Sequence, residues 1–238
     1  MFEPAKLAGV TEIFAHRGLH VTERENTIAA FRAAADLGVQ GVELDVRECA
    51  DQALVVCHDA VVGGVVIGRS ARGDLPGFVP TLDDALAACS GLSVNVEIKN
   101  LRHPSEPTYD ESADVARRVV SAIRELGRQD SVVVSGFDLA TCDVARACDD
   151  SLRVALLADW ERDSLPQLDV AKGHGFQALN PHWSRVNASV VERAWELGLE
   201  LNVWTVNDPE NIIAMLRLGV TSLITDDPAT ALSLNRDF

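Results

Sequence analysis

Short aliphatic runs alternate with stretches whose apolar residues recur every three or four positions along nearly the whole chain. The runs at 12–15, 41–46, 93–98, 131–135, 153–157, 177–180, 200–205 and 221–225 predict strands. The stretches at 27–37, 82–89, 111–126, 139–147, 165–172, 188–197, 209–218 and 229–234 predict helices. Several helix ends are written locally. Gly38, Gly127, Gly198 and Gly219 each follow a leucine where a helix stops, and Asp208-Pro209 and Asp227-Pro228 set a cap residue before a first-turn proline. Eight strand–helix units without a Pro/Gly/Ser-rich linker predict one domain over residues 1–238. The expected fold is an α/β TIM (β/α)8 barrel rather than an open doubly wound sheet, and 238 residues fit the roughly 250 typical of that barrel. The rhythm breaks at 58–80, a glycine-containing stretch preceded by a short strand at 54–57. It reads as a long loop of the kind that serves function, with Gly63-Gly64 a flexible element within it.

Composition narrows the range of partners. A formal net charge of −15 and a pI near 4.7 oppose binding to nucleic acid and stable association with anionic membranes. An anionic substrate therefore needs positive charge supplied locally. Residues 1–12 lack the basic-then-apolar pattern of a secretion signal, and no run approaches the roughly 18 apolar residues of a membrane span, so a cytoplasmic protein is expected. Cys49, Cys57, Cys89, Cys142 and Cys148 form an odd set without CxxC spacing. That pattern favours reduced packing residues over a disulfide framework or a structural zinc site.

The chemistry collects at strand ends, where a barrel of this kind builds its active site. The first strand ends in His16-Arg17-Gly18, and the second carries Glu43-Leu44-Asp45. The short strand after it ends in His58-Asp59, and the third ends in Glu97-Ile98-Lys99. Residues two apart on a strand share a face, so Glu43 pairs with Asp45, and Asn95 with Glu97 and Lys99. Adjacent strands bring Glu43, Asp45 and Glu97 together, and three converging carboxylates call for a hard divalent cation such as Mg²⁺, Ca²⁺ or Mn²⁺. His16 and His58 are candidates for general acid and base. Arg17 and Lys99 bring the positive charge that a phosphoryl oxygen needs, and salt-bridging to the same carboxylates is their alternative role. His20, His103, His174 and His182 fall in or near loops and are set aside. The chain has no P-loop and no Gly-x-Ser-x-Gly elbow, and Cys57 beside His58 is only a sequence neighbour.

The ordered strings His16-Arg17-Gly18, Glu25-Asn26-Thr27, Glu43-Leu44-Asp45-Val46, His58-Asp59, Pro80-Thr81-Leu82, Glu97-Ile98-Lys99, Trp204-Thr205-Val206-Asn207 and Ile224-Thr225-Asp226 resemble the glycerophosphodiester phosphodiesterase family. The resemblance implies a TIM barrel of the phospholipase-C-like type that hydrolyses small glycerophosphodiesters to glycerol 3-phosphate and an alcohol. It further implies His16 and His58 as the acid and base, one divalent ion on Glu43, Asp45 and Glu97, and phosphate contacts from Arg17 and Lys99. Trp204 would wall the glycerol or head group, and Glu25-Asn26-Thr27 would order the first loop and cap the next helix. The chain departs from the family after His58-Asp59, where Ala60-Val61-Val62-Gly63-Gly64 replaces a threonine-rich stretch, and this bears on head-group specificity. A lysophospholipase D is the alternative enzyme reading, with 61–67 as its apolar entrance. A non-catalytic phosphate-binding barrel is the other, and the presence of both histidines and all three carboxylates argues against it.

Overall fold

Aliphatic positions on the strands predicted from sequence are covered by the helices that follow them, and this packing generates the architecture. The computed structural model describes residues 10–104, 106–236 and 238. Residues 1–9, read above for a leader signal, lie outside the described residues.

The chain runs through β1 (Glu12–Ala15), α1 (Ile28–Leu37), β2 (Gly41–Glu48), β3 (Leu54–Val56), β4 (Val61–Val62) and β5 (Val65–Val66). It continues through α2 (Leu82–Ala88), β6 (Ser93–Ile98), α3 (Asp114–Glu125), β7 (Val132–Gly136), α4 (Leu139–Cys148) and β8 (Arg153–Leu157). It ends with α5 (Ser164–Gly173), β9 (Ala178–Asn180), α6 (Ala188–Leu197), β10 (Glu200–Val203), α7 (Pro209–Leu218), β11 (Ser222–Thr225) and α8 (Pro228–Asn235). Strands β1, β11, β10, β9, β8, β7, β6 and β2 pair in parallel in that order, and β1 pairs with β2 to close the ring. The expected TIM barrel is therefore present.

Closure at β1 is incomplete along β2. Its first residues, Gly41 and Val42, pair with β1, whereas Val46 to Glu48 pair antiparallel with β3. Gly41 is required at the shared end, because a Cβ there would lie 2.5 Å from the Phe14 ring. The helix-facing residues of β2, Val42, Leu44 and Val46, join the main core with Phe31, Leu82, Leu86 and Ile123. The interior of the barrel is narrower and more polar. Ser222 donates to Asn202 at 2.8 Å, and Asn202 donates to Asn180 at 2.9 Å.

Helix limits follow the local signals closely. Thr27, Asp208 and Asp227 cap α1, α7 and α8 through their side chains, and Gly38, Gly198 and Gly219 stand at C-caps. Helix α3 starts later than expected because Ala113 is left-handed at φ 52° and the Asp110 carboxylate accepts from the Ser112 and Val115 N–H groups. Strand β10 stops at Val203, and Trp204 forms only a bridge to His182.

The segment 58–80 corrects the expectation of a long loop. Strands β4 and β5 form a hairpin whose turn is Gly63-Gly64, with φ 59° and 82°, the left-handed values that a two-residue turn between valines demands. Cys49, Val55, Ile67, Leu75 and Val79 form a separate small core beneath it, with Val62 and Val65 packed against it. The proposed apolar entrance thus turns much of its apolar surface inward, although Val61 is 47% exposed. Among the described residues no helix is long and apolar enough to cross a membrane. The five cysteines are free, and burial pushes the Cys49 and Cys89 thiols up to about 11 and about 12, as befits packing residues. Ile67→Ala removes the fully buried centre of the small core and is expected to cost about 2–5 kcal/mol in urea unfolding followed by circular dichroism.

Candidate active site

Strand register decides which side chains meet at the carboxy rim of the barrel. The β2–β6 pairing sets Glu43 beside Asn95 and Asp45 beside Glu97, all pointing inward because their neighbours point to the helices. Oxygens of Glu43, Asp45 and Glu97 lie within 4.8 Å of one another, and each of the three residues is at least nine-tenths buried. Such a group repels itself unless cations enter. Lys99 Nζ lies 2.8 Å from Glu97 and 3.4 Å from Asp45, while Arg17 Nε lies 3.4 Å from Asp45.

The three carboxyls respond differently to that environment. Burial pushes Asp45 up, but Lys99, Arg17, His58 and a 2.8 Å hydrogen bond from Asn26 together hold it below the usual range. Burial outweighs Lys99 at Glu97, whose carboxyl is raised. Burial and the charges of Asp45 and Glu97 push Glu43 well above the carboxylate range. Its Oε2 accepts the Arg17 backbone N–H at 3.1 Å, and its Oε1 is buried without a hydrogen-bond partner. An orphaned buried oxygen among three carboxylates fits a hard divalent cation, and the lack of imidazole or thiolate in this set disfavours zinc.

The turn after β1 carries the next groups. His16 donates its backbone N–H to Thr225, Arg17 takes φ 55°, and Gly18 takes φ 79°. A Cβ on Gly18 would lie 2.8 Å from Ala30, so only glycine allows the turn to press against α1. The Arg17 guanidinium also reaches both oxygens of Glu25, at 3.2 and 3.1 Å. His16 Nδ1 is 2.6 Å from Asp226, which is also held by His20 at 2.8 Å and by Asn207 at 2.6 Å. Burial raises Asp226, but bonds from His16, His20 and Asn207 carry it far below the usual range. An ionised carboxylate only accepts, so His16 Nδ1 carries the hydrogen. Its Nε2, 3.8 Å from Glu43, is the nitrogen left for proton exchange.

His58 opens the small insertion after β3 and is held there from the barrel strand β2. Arg47, buried on β2, donates to the His58 carbonyl and forms an ion pair with Glu106 at 2.7 Å. The His58 ring donates from Nδ1 to Asp59, 2.9 Å away, in a more exposed pair than His16–Asp226. His16, Arg17, Glu43, His58, Glu97 and Lys99 line one cleft of about 250 Å³. Phe137, Leu157, Trp204 and Ile224 complete much of its wall. Trp204 is fixed by a 2.7 Å bond to the Asn180 carbonyl and by edge contacts with Phe137 and His182.

Seven of the eight expected site residues therefore line this cleft, and Asp45 contacts Arg17 and Lys99 beside it. Sequence reasoning assigned no such place to Asp226, Asn26 or Phe137. Asp226 and Asn26 lie within the motif strings quoted above, which was the available signal. His20, set aside with the loop histidines, shares Asp226 with His16.

In the absence of metal, Glu43→Gln is expected to raise the melting temperature, by about 2–4 °C for each kcal/mol of relieved burial. A carboxyl whose folded value is raised contributes most below its unfolded value and loses that contribution as pH rises through the folded one. The gain of the variant in chelator should therefore grow with pH in scanning calorimetry, and the variant should lose stabilisation by added divalent cation.

Comparison with known proteins agrees with this arrangement. Residues 16–230 match the Glycerophosphoryl diester phosphodiesterase family. The chain is 28% identical to a glycerophosphodiester phosphodiesterase of Caldanaerobacter subterraneus subsp. tengcongensis, over 95% of this chain and 98% of that one. A glycerophosphodiester phosphodiesterase structure from Parabacteroides distasonis superposes with a TM-score of 0.84 at 25% identity, covering 96% of this chain and 98% of the other. A phosphodiesterase from Oleispira antarctica, in complex with the product sn-glycerol-3-phosphate, shares the fold with a TM-score of 0.84 at 20% identity, covering 94% and 96%. With the match spanning nearly all of the barrel, the chain belongs to the glycerophosphoryl diester phosphodiesterase family.

Proposed function

We propose that this chain, as a single barrel domain over 1–238, hydrolyses glycerophosphodiesters to glycerol 3-phosphate and an alcohol. The observation that carries the reading is the meeting, in one cleft and immediately beside it, of three buried carboxylates with an orphaned oxygen and two imidazoles each bonded to a carboxylate. Glu43, Asp45 and Glu97 would hold one divalent cation, Mg²⁺ or Ca²⁺, with Mn²⁺ also suited to the donors. When bound, that cation would neutralise developing charge on a phosphoryl oxygen.

The charge count supports an anionic substrate. Arg17 and Lys99 are already matched by Glu43, Asp45, Glu97 and the Glu25 carboxylate on Arg17, so a bound divalent ion is what would supply the charge that an anion meets. Arg17 and Lys99, released from full engagement with the carboxylates, are then free to orient phosphoryl oxygens. His16 Nε2 and the His58 ring face the same cleft, so one can take the proton of the attacking oxygen while the other gives a proton to the leaving alkoxide. Asp226 holds His16 in the tautomer that leaves Nε2 available. Phe137, Leu157 and Trp204 form the apolar wall against which the ester would lie, with Trp204 against the glycerol or the head group. The free cysteines suit a reducing compartment, and the cytoplasm is the location we propose.

The test is release of glycerol 3-phosphate from a glycerophosphodiester panel with and without chelator. Release restored by Mg²⁺, Ca²⁺ or Mn²⁺ supports the reading; no release with any of the three rejects it, and release indifferent to chelator rejects the cation. His16→Ala and His58→Ala are each expected to lower kcat by about 10²–10⁴-fold with cooperative unfolding retained. Asp226→Asn should lower kcat with little change in KM, since it disturbs the His16 tautomer rather than a binding contact.

A further inference from the structure

The catalytic cleft has a neighbour at Phe137 and Leu157. Both residues also line a second hollow of about 610 Å³, formed by the segments that follow β6, β7 and β8. Leu139, Leu156, Trp160 and Val170 supply much of the remaining apolar lining. Trp160 and Val170 are 56% and 39% exposed, and two large apolar side chains left open to solvent face the same space. The hollow is more than twice the size of the cleft and falls within the roughly 300–1,000 Å³ of sites that bury drug-sized ligands. Its charged rim does not favour a second phosphate: Arg162 is engaged by Asp159 at 3.2 Å, and Glu161 adds a further carboxylate.

We propose that this groove receives the apolar body of the leaving alcohol, so that the preferred substrates are alkyl or aryl esters of glycerol 3-phosphate. The proposal rests on the hydrolytic reading above: if glycerol 3-phosphate leaves unsubstituted, an apolar body can sit only on the other ester oxygen. The two hollows meet at Phe137 and Leu157, so a phosphodiester held at the rim groups can extend its alcohol past these side chains over the β7 and β8 ends. Burial of methylenes there adds binding that a short polar alcohol cannot obtain.

The experiment compares the ethyl and octyl esters of glycerol 3-phosphate. Wild-type protein should favour the octyl ester by about tenfold or more in kcat/KM, carried mainly by KM. Val170→Glu and Trp160→Ala, at exposed positions, should erase that preference while leaving turnover of the ethyl ester unchanged. Equal kcat/KM for the two esters in wild type overturns the proposal, as does a preference that survives both substitutions. A stronger preference for an octanoyl chain on the glycerol of the ethyl ester overturns the assignment to the leaving alcohol. Calorimetric binding of octyl and ethyl phosphate reads the groove independently of turnover. Octyl phosphate binding about tenfold tighter in wild type but not in Val170→Glu supports the groove even if no diester is cleaved. Equal affinity overturns it even if hydrolysis is observed.

Discussion

Three carboxylates buried side by side on two adjacent strands are the constraint around which the rest of the structure is arranged. Leaving Glu43, Asp45 and Glu97 in a closed barrel without compensation would cost several kcal/mol per charge, and each neighbouring feature reduces that cost. Lys99 reaches back to Glu97, Arg17 turns over Asp45, Asn26 donates to Asp45, and the carboxyl of Glu43 shifts toward its neutral form. What no protein group satisfies is Glu43 Oε1, the oxygen on which the proposed cation would draw.

The two histidines are brought to this centre by different means. His16 belongs to the barrel: its backbone pairs with Thr225, and its ring is held by Asp226 from the far end of the chain. His58 belongs to the insertion between β3 and α2, whose position depends on its own small core and on Arg47 gripping the His58 carbonyl. Barrel and insertion therefore contribute one imidazole each to the cleft. His58 also bears on the carboxylates, since it is one of the groups that hold Asp45 below the usual range.

The wall formed by Phe137, Leu157 and Trp204 separates a polar half of the cleft from an apolar extension. Most polar groups come from β1, β2 and β6 and the residues just after them, with His58 from the segment after β3, and apolar ones mostly from the ends of β7, β8 and β10 and the residues just after them. This division follows from the barrel, in which each strand contributes its own loop and neighbouring loops can diverge independently. The polar and apolar groups thus sit on separate parts of the rim.

Strand and helix alternation, caps such as Thr27 and Asp208, and the shared face of Glu43 with Asp45 were legible in the sequence, because each depends on residues within a few positions of one another. His16, His58 and Glu97 were legible through their place at strand ends and through the ordered motifs. The hairpin at Gly63-Gly64 carried a local signal that the length of the segment obscured. Other features had no local trace. Asp226 meets His16 across 210 positions, Glu106 meets Arg47 across 59, and the groove exists only because the β7 and β8 loops lie side by side. The sequence by itself determined the elements and the chemical types at their ends, since periodicity and capping are local. Only the tertiary structure decided which carboxylate holds which histidine, which oxygen stays unpaired and where the cleft continues, because closing the barrel sets the distances between groups that the chain keeps far apart.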